Sequence, residues 1–394
     1  MKRWINFLVC LFGVFISVIF FSRLLCAQSK SMDVLNVGLY ADLSSFDPHL
    51  ATTAEMDKHV LHIYEGLVKI SYDDPNDFSP VLATSWTASD DGLTYIFNLR
   101  KGVKFTDGTD FNANAAKFSF DRIMALKKGG AYSLMETVES VTVKGEYTIE
   151  IRLKSRGPLL SFLVNAYMVS PTAIKNHSTK EDPWAEKWLI NHSVGTARYQ
   201  LAEWTKGVRY KLVENPVHWD KWGKHFKAVV GHVIYEADVQ RMMLERGDLD
   251  IAMNLPFDAL PSLKRNPDVR IHENAGGAIL FLFLNHIAEP TKHLLVRKAL
   301  AHAWNHKAFS IVRRGLAPRA DGFCPNAMLG KGYKPPAPYP YEYDLNKAKE
   351  YLIKAGYPDG FTINFMTQKG DEEKNMLFDV YQNDLAKLGI KVKL

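Results

Sequence analysis

Two hydrophobic rhythms run along this chain, and the change from one to the other divides it. In the first half the dominant period is two. Residues 34–40 form a short apolar run with polar flanks, which predicts a strand, and Asp47-Pro48-His49 supplies the turn after it. Leu93, Tyr95, Phe97 and Leu99 fall on one strand face by alternation. Val141 and Val143 lead through Lys144-Gly145-Glu146 into Tyr147, Ile149, Ile151 and Leu153, a hairpin with alternation on both arms. A second hairpin runs over 199–204, turns at Lys206-Gly207 and returns over 209–213. Helical spacing interrupts this twice. Met56, Val60, Ile63 and Leu67 share a helix face, and Asn112 is placed to cap a helix carrying Ala115, Phe118 and Ile123.

From about residue 229 strands and helices alternate instead. A strand over 229–235 precedes a helix capped by Asp238 and stopped at Gly247, followed by the apolar run 249–255 and a short helix over 260–264. A strand over 278–285 precedes a helix over 291–304, and Pro335-Pro336-Ala337-Pro338 marks an extended segment. A helix over 345–355 stops at Gly356, a strand follows over 361–366, a helix over 372–388 stops at Gly389, and a last strand begins at Ile390. Hairpins followed by βα alternation predict a mixed α/β protein of more than one compact unit.

The first residues belong to neither rhythm. Lys2 and Arg3 precede an apolar run over 4–21, and Leu25-Cys26-Ala27 closes it, an order that reads as a secretory signal peptide cleaved after Ala27; an uncleaved anchor is the alternative. Leu25, where a lipoprotein wants a small residue before its Cys, argues against lipid attachment at Cys26. The whole chain of 394 residues carries +6, and residues 1–27 contribute three cations and no acid, which leaves +3. So even a balance gives no footprint for nucleic acid. With Cys10 and Cys26 in the leader, Cys324 is alone, forms no internal disulfide, and is expected as a small buried hydrophobe.

Enzyme motifs are absent: there is no Gly-x-Ser-x-Gly elbow, no His-Glu-x-x-His helix, no phosphate-cradling loop and no dinucleotide fingerprint. His302 and His306, four apart on an expected helix, are the one pair that supports a rival reading as a secreted metal-dependent hydrolase. With no Glu in the motif and no Cys beside it, ordinary solvated or hydrogen-bonded histidines are the favoured reading, and no metal or cofactor is expected. Asp248 and Asp250 flank an apolar run and read as a turn entering a strand rather than as an acid/base pair.

The ordered motifs are more specific. Leu82-Ala83-Thr84-Ser85-Trp86, Asp90-Asp91-Gly92-Leu93-Thr94-Tyr95-Ile96-Phe97-Asn98-Leu99-Arg100-Lys101-Gly102-Val103-Lys104-Phe105 and Asp107-Gly108-Thr109 follow one another, with Tyr64-Glu65-Gly66-Leu67, Gly195-Thr196, Glu214-Asn215-Pro216 and Gly247-Asp248-Leu249-Asp250-Ile251 around them. In this the chain resembles the extracytoplasmic solute-binding proteins of peptide and nickel ABC importers, the dipeptide- and oligopeptide-binding group. The resemblance implies a two-lobed periplasmic-binding-protein fold of type II-like kind with an extra β-rich subdomain. Lobe I would comprise 28–63 and 189–275, the β-rich subdomain 64–188, and lobe II 276–394. It implies no enzymatic activity: a monomer captures a peptide-like solute by hinge closure and hands it to the membrane permease. A nickel chelate, opine or sugar-like solute is the alternative on the same fold.

Carried over by position, the resemblance places Thr52 and Thr53 against the ligand, offers Gly276, Gly277 and Ala278 for close backbone approach, and adds Tyr132 from the β-rich part. Where dipeptide-binding members hold a carboxylate with Arg, this chain offers Gln368 and Lys369, a point charge rather than a bidentate fork. Ala197-Arg198 stands where the family usually has Gly-Pro. Family members also continue past the strand beginning at Ile390, which predicts an incomplete second lobe here, with an exposed sheet edge and the ligand-amine Asp missing.

Overall fold

The computed structural model describes residues 33–50, 59–71, 74, 77–221, 223–253, 255, 258–272, 279–316, 319–320, 322, 324–325, 340–366 and 372–393. In chain order, β1 (Val34–Leu39) is followed by a short pair, β2 (Val68–Ile70) with β3 (Phe78–Pro80), and then by β4 (Ala83–Ala88), β5 (Thr94–Leu99), β6 (Val138–Gly145) and β7 (Thr148–Leu153). The last four form one sheet in the order β4-β5-β7-β6, with every neighbouring pair antiparallel. The alternation read from the sequence sets its faces: Phe97, Ile149 and Ile151 are fully buried, with Leu99 and Leu153 beside them. On this face lies α1 (Ala113–Leu126), which packs on β6 and β7. Its cap is the expected one, since Asn112 Oδ1 accepts the amides of Asn114 and Ala115 at 3.0 and 3.1 Å. A short helix, α2 (Gly129–Met135), follows directly.

After α3 (Pro171–His177) and α4 (Glu186–Leu189) the chain returns to the strand β1 left behind. β8 (Tyr199–Thr205), β9 (Arg209–Glu214), β10 (Ala228–Val233) and β11 (Ile251–Ala252) build a five-stranded sheet in the order β11-β1-β10-β9-β8. β1 runs parallel to both of its neighbours, β10 and β11, while β9 is antiparallel to both β10 and β8. Gly231 in β10 lies under the Tyr210 ring: a Cβ there would sit 2.3 Å from Cε1 of that ring, so no side chain fits. Between β10 and β11 runs α5 (Ala237–Glu245), stopped at Gly247, whose φ is +78°.

By internal packing the chain separates into two units, one of Met1–Val68 with Pro80–Asn254 and one of Lys69–Ser79 with Leu255–Leu394. The core of the second is helical. α6 (Leu294–His302), α7 (Leu345–Lys354) and α8 (Glu372–Lys387) bury Val296, Leu300, Leu352, Leu377, Tyr381 and Leu385 against one another. A parallel pair, β12 (Thr362–Asn364) and β13 (Lys391–Lys393), covers part of this core with Ile363 and Val392.

Several expectations needed adjustment. The N-cap of α5 is Glu236 rather than Asp238, and its side chain makes no capping bond. The apolar run after Gly247 contributes only Ile251–Ala252 to a sheet, because Leu249 faces Gly38 and packs as a core side chain. Residues 279–285 carry a strand's side-chain alternation without a strand's pairing. Leu282 and Leu284 pack on the core and Phe281 and Phe283 point outward, yet no strand bonds to them among the described residues. Side-chain burial orients an extended segment, but only a neighbouring backbone makes it a strand. Cys324 is half-buried and free rather than a core residue.

Candidate functional site

The turn Pro48–Leu50, one step before Thr52 and Thr53, is held by a fully buried charge cluster. Arg122 sits in the stripe of α1 that also carries Ala115 and Ser119, where a helix normally presents apolar groups to the core. It is 0% exposed, and so is its partner Asp47. Nη2 of Arg122 donates to Asp47 Oδ2 at 2.5 Å and Nη1 to Oδ1 at 2.8 Å, while Nε donates to the Trp184 carbonyl at 3.0 Å. The Asp47 carboxylate also accepts the His49 amide at 3.0 Å, which closes the turn on itself.

His49 completes the cluster, and its neighbours decide its tautomer. Nε2 lies 2.9 Å from the Tyr167 carbonyl, which only accepts, and Nδ1 lies 2.9 Å from Arg122 Nη1, which only donates. The proton is therefore on Nε2. Burial, with the Arg122 charge adding to it, lowers the imidazole pKa to about 4, so the ring is neutral in ordinary buffers.

His59 is anchored as well: its Nδ1 and Tyr210 Oη are 2.7 Å apart, on the ring that covers Gly231. Thr52 and Thr53 themselves lie outside the described residues, as do Gly276, Gly277, Ala278, Gln368 and Lys369. Tyr132 is described. It is half-buried on α2, which packs against the Pro48–Leu50 turn, so the first unit brings Tyr132's helix to the root of that loop. Partial burial and the Glu136 carboxylate raise its phenol pKa, leaving a neutral hydroxyl that can donate and accept.

The remaining family-like motifs meet each other. Glu65 Oε2 accepts from Thr196 Oγ1 at 2.8 Å and from Trp219 Nε1 at 3.1 Å, and the Arg100 guanidinium lies 4.0 Å over the Trp219 ring. Gly195 is pressed so closely on the preceding motif that a Cβ would be 2.0 Å from the Ile63 carbonyl oxygen. Asp107 Oδ1 binds the Thr109 hydroxyl at 2.6 Å, Oδ2 takes the Ser170 hydroxyl at 2.5 Å, and the Thr106 amide reaches the Gly195 carbonyl at 3.0 Å. These motifs are joints between segments.

Among the described residues the rival chemistry finds no site. His302 is buried and bound through Nδ1 to the Glu342 carbonyl at 2.7 Å, with its ring stacked on Tyr351. No cluster of three or more metal-ligating side chains exists among the described residues. Asp250 Oδ2 accepts the Asn36 amide at 2.8 Å and Asp248 pairs with Arg246 at 2.7 Å, so both acids have structural partners. The residue that sequence reasoning missed is Arg122. Its signal was an arginine at a core-facing helix position, which requires a buried acid somewhere else in the chain.

Residues 77–394 match the family model for bacterial extracellular solute-binding proteins, family 5. The chain belongs to that family. It is the solute-binding component of an ABC importer, a class that works outside the cytoplasm with membrane permease subunits. The glutathione-binding protein GsiB of Escherichia coli O6:K15:H31 is 28% identical over 380 residues, covering 94% of this chain and 70% of that one. The periplasmic binding protein DppA of Helicobacter pylori, solved with the peptide STSA, is 30% identical with a TM-score of 0.79, over 91% of this chain and 73% of that one. MoaA from A. tumefaciens R10, solved with mannopinic acid, is 25% identical with a TM-score of 0.77, over 92% and 73% of the two chains. NikZ of Campylobacter jejuni, at 22% identity and a TM-score of 0.77, shares the fold. The type II-like periplasmic-binding-protein fold is thus the fold of this chain. Among the described residues no helix is long and apolar enough to cross a membrane.

Proposed function

We propose that the solute is a short peptide, captured without chemical change and held by backbone pairing and terminal charges rather than by side-chain pockets. The observation that carries this is the match to DppA, whose bound ligand is a tetrapeptide, supported by the GsiB relatives. Ligand-contacting residues in this reading are Thr52, Thr53, Tyr132, Gly276, Gly277, Ala278, Gln368 and Lys369. The lobes divide at 28–63 with 189–275 and at 276–394, with 64–188 as the β-rich subdomain. Residues 1–27 direct export to the periplasm. A ligand that touches both lobes binds the closed form better, and it shifts the population toward closure by that difference in affinity.

The test is calorimetric titration of the protein with STSA and with reduced glutathione. Saturable binding of either supports the reading, and at a hundredfold excess over Kd it brings about 2.7 kcal/mol of added stability. The 25% identity to MoaA supports a second reading, a sugar–amino acid conjugate such as mannopinic acid. Binding of that compound with neither peptide bound would establish the second reading over the first.

A further inference from the structure

The first unit has a recess of about 500 Å³, within the size range of small-molecule sites. It is built on a stack of three rings. His177, at the end of α3, lies 3.8 Å from Trp188 of α4 at an interplanar angle of 12°, and His192 lies 4.6 Å from the other face of Trp188 at 8°. Each imidazole is fixed by its backbone: Nδ1 of His177 donates to the Ala173 carbonyl at 2.9 Å, and Nδ1 of His192 to the Trp188 carbonyl at 2.7 Å. In the neutral rings Nε2 is then a lone-pair acceptor, and the outer ring faces stay flat and uncovered by Trp188.

The rest of the wall decides the ligand's charge. No lysine or arginine lines the recess, so nothing there neutralises an anion. The Asp107 carboxylate is already occupied by Thr109 and Ser170, and Glu203 is drawn toward Arg209 at 3.5 Å, so neither carboxylate is kept for a cation. Besides these two carboxylates, the wall offers polar groups of both hydrogen-bonding senses, including the carboxamides of Asn176, Asn191 and Gln200. Trp204 is also in the wall.

We infer that this recess is a second ligand site, for an uncharged polyhydroxylated molecule of one or two sugar rings. Carboxamides pair with adjacent hydroxyls, the imidazole Nε2 atoms accept from others, and the flat ring faces cover the C–H side of a pyranose. The inference does not depend on the peptide reading.

The experiment is a titration of the full chain with cellobiose, followed by NMR of the histidine ring protons and by tryptophan fluorescence. The expected result is a saturable shift of the His177 and His192 signals at millimolar sugar, unchanged by saturating glutathione. Asn191→Ala and Gln200→Ala should each weaken it roughly tenfold, the factor for one ordinary hydrogen bond. Four results would overturn the inference: no saturable change, an unaltered titration in both variants, displacement by glutathione, or tighter binding of glucose 6-phosphate or glucosamine than of glucose. Circular dichroism of both variants separates loss of the site from loss of the fold.

Discussion

Arg122 and Asp47, far apart in sequence, form a two-pronged ion pair at 2.5 and 2.8 Å with both side chains at 0% exposure. The pair joins α1 to the Pro48–Leu50 turn. Its bond to Trp184 and the His49 contacts supply the extra hydrogen bonds a buried ion pair requires if it is not to destabilise the fold.

Breaking the pair from one side leaves the other charge buried and unpartnered. Arg122→Met is expected to cost about 3–5 kcal/mol in urea unfolding. Adding Asp47→Leu should recover much of that loss, because two apolar side chains carry no desolvation penalty. A double variant no more stable than Arg122→Met would show that the pair itself, rather than its desolvation, holds the turn.

His49 gives the first unit an acid-sensitive point. Its folded pKa of about 4 lies below the usual imidazole value of 6.5, so between those values the unfolded chain binds a proton that the folded one refuses. Stability from this residue is fully present above pH 6.5 and is lost as the pH falls toward 4, by about 3 kcal/mol in all. Chemical unfolding at several pH values in this window, with His49→Gln flattening the slope, checks it.

His218 titrates in the opposite sense. Burial disfavours its charge, but the Glu65 carboxylate and the Asp220 carbonyl outweigh that and raise the pKa above 6.5. The stability it contributes is therefore present below pH 6.5 and lost as pH rises through the folded value. Glu65→Gln should bring the His218 pKa down in an NMR titration. An unmoved value would remove Glu65 as the cause.

Two glycines separate crowding from backbone conformation. Gly195→Ala drives a methyl against the Ile63 carbonyl and should cost about 3 kcal/mol or prevent folding. Gly108→Ala meets no atom within 4 Å and pays only for a φ of +83°, about 1 kcal/mol. Thermal unfolding of the two variants side by side tests the ranking.

Much of the architecture was legible along the chain because its causes are local. The alternation over 138–153, Asn112 before its helix and the glycine stops at Gly247, Gly356 and Gly389 act within a few residues of themselves. Each was observed where the pattern put it, with φ between +78° and +86° at the three glycines. The ordered motifs were legible too, but only as a family mark. Their physical role, joining Glu65 to Thr196 and Trp219 and Asp107 to Ser170, depends on segments that meet only in space.

Tertiary structure alone decided the rest. That 279–285 stays outside the sheet, that β1 pairs with β10 and that Arg122 finds Asp47 are choices among distant partners. A hydrophobic period states which face of a segment is buried but carries no record of which backbone or which charge will lie opposite. That choice is made when loop entropy, core volume and the need to pair every buried polar group are satisfied together.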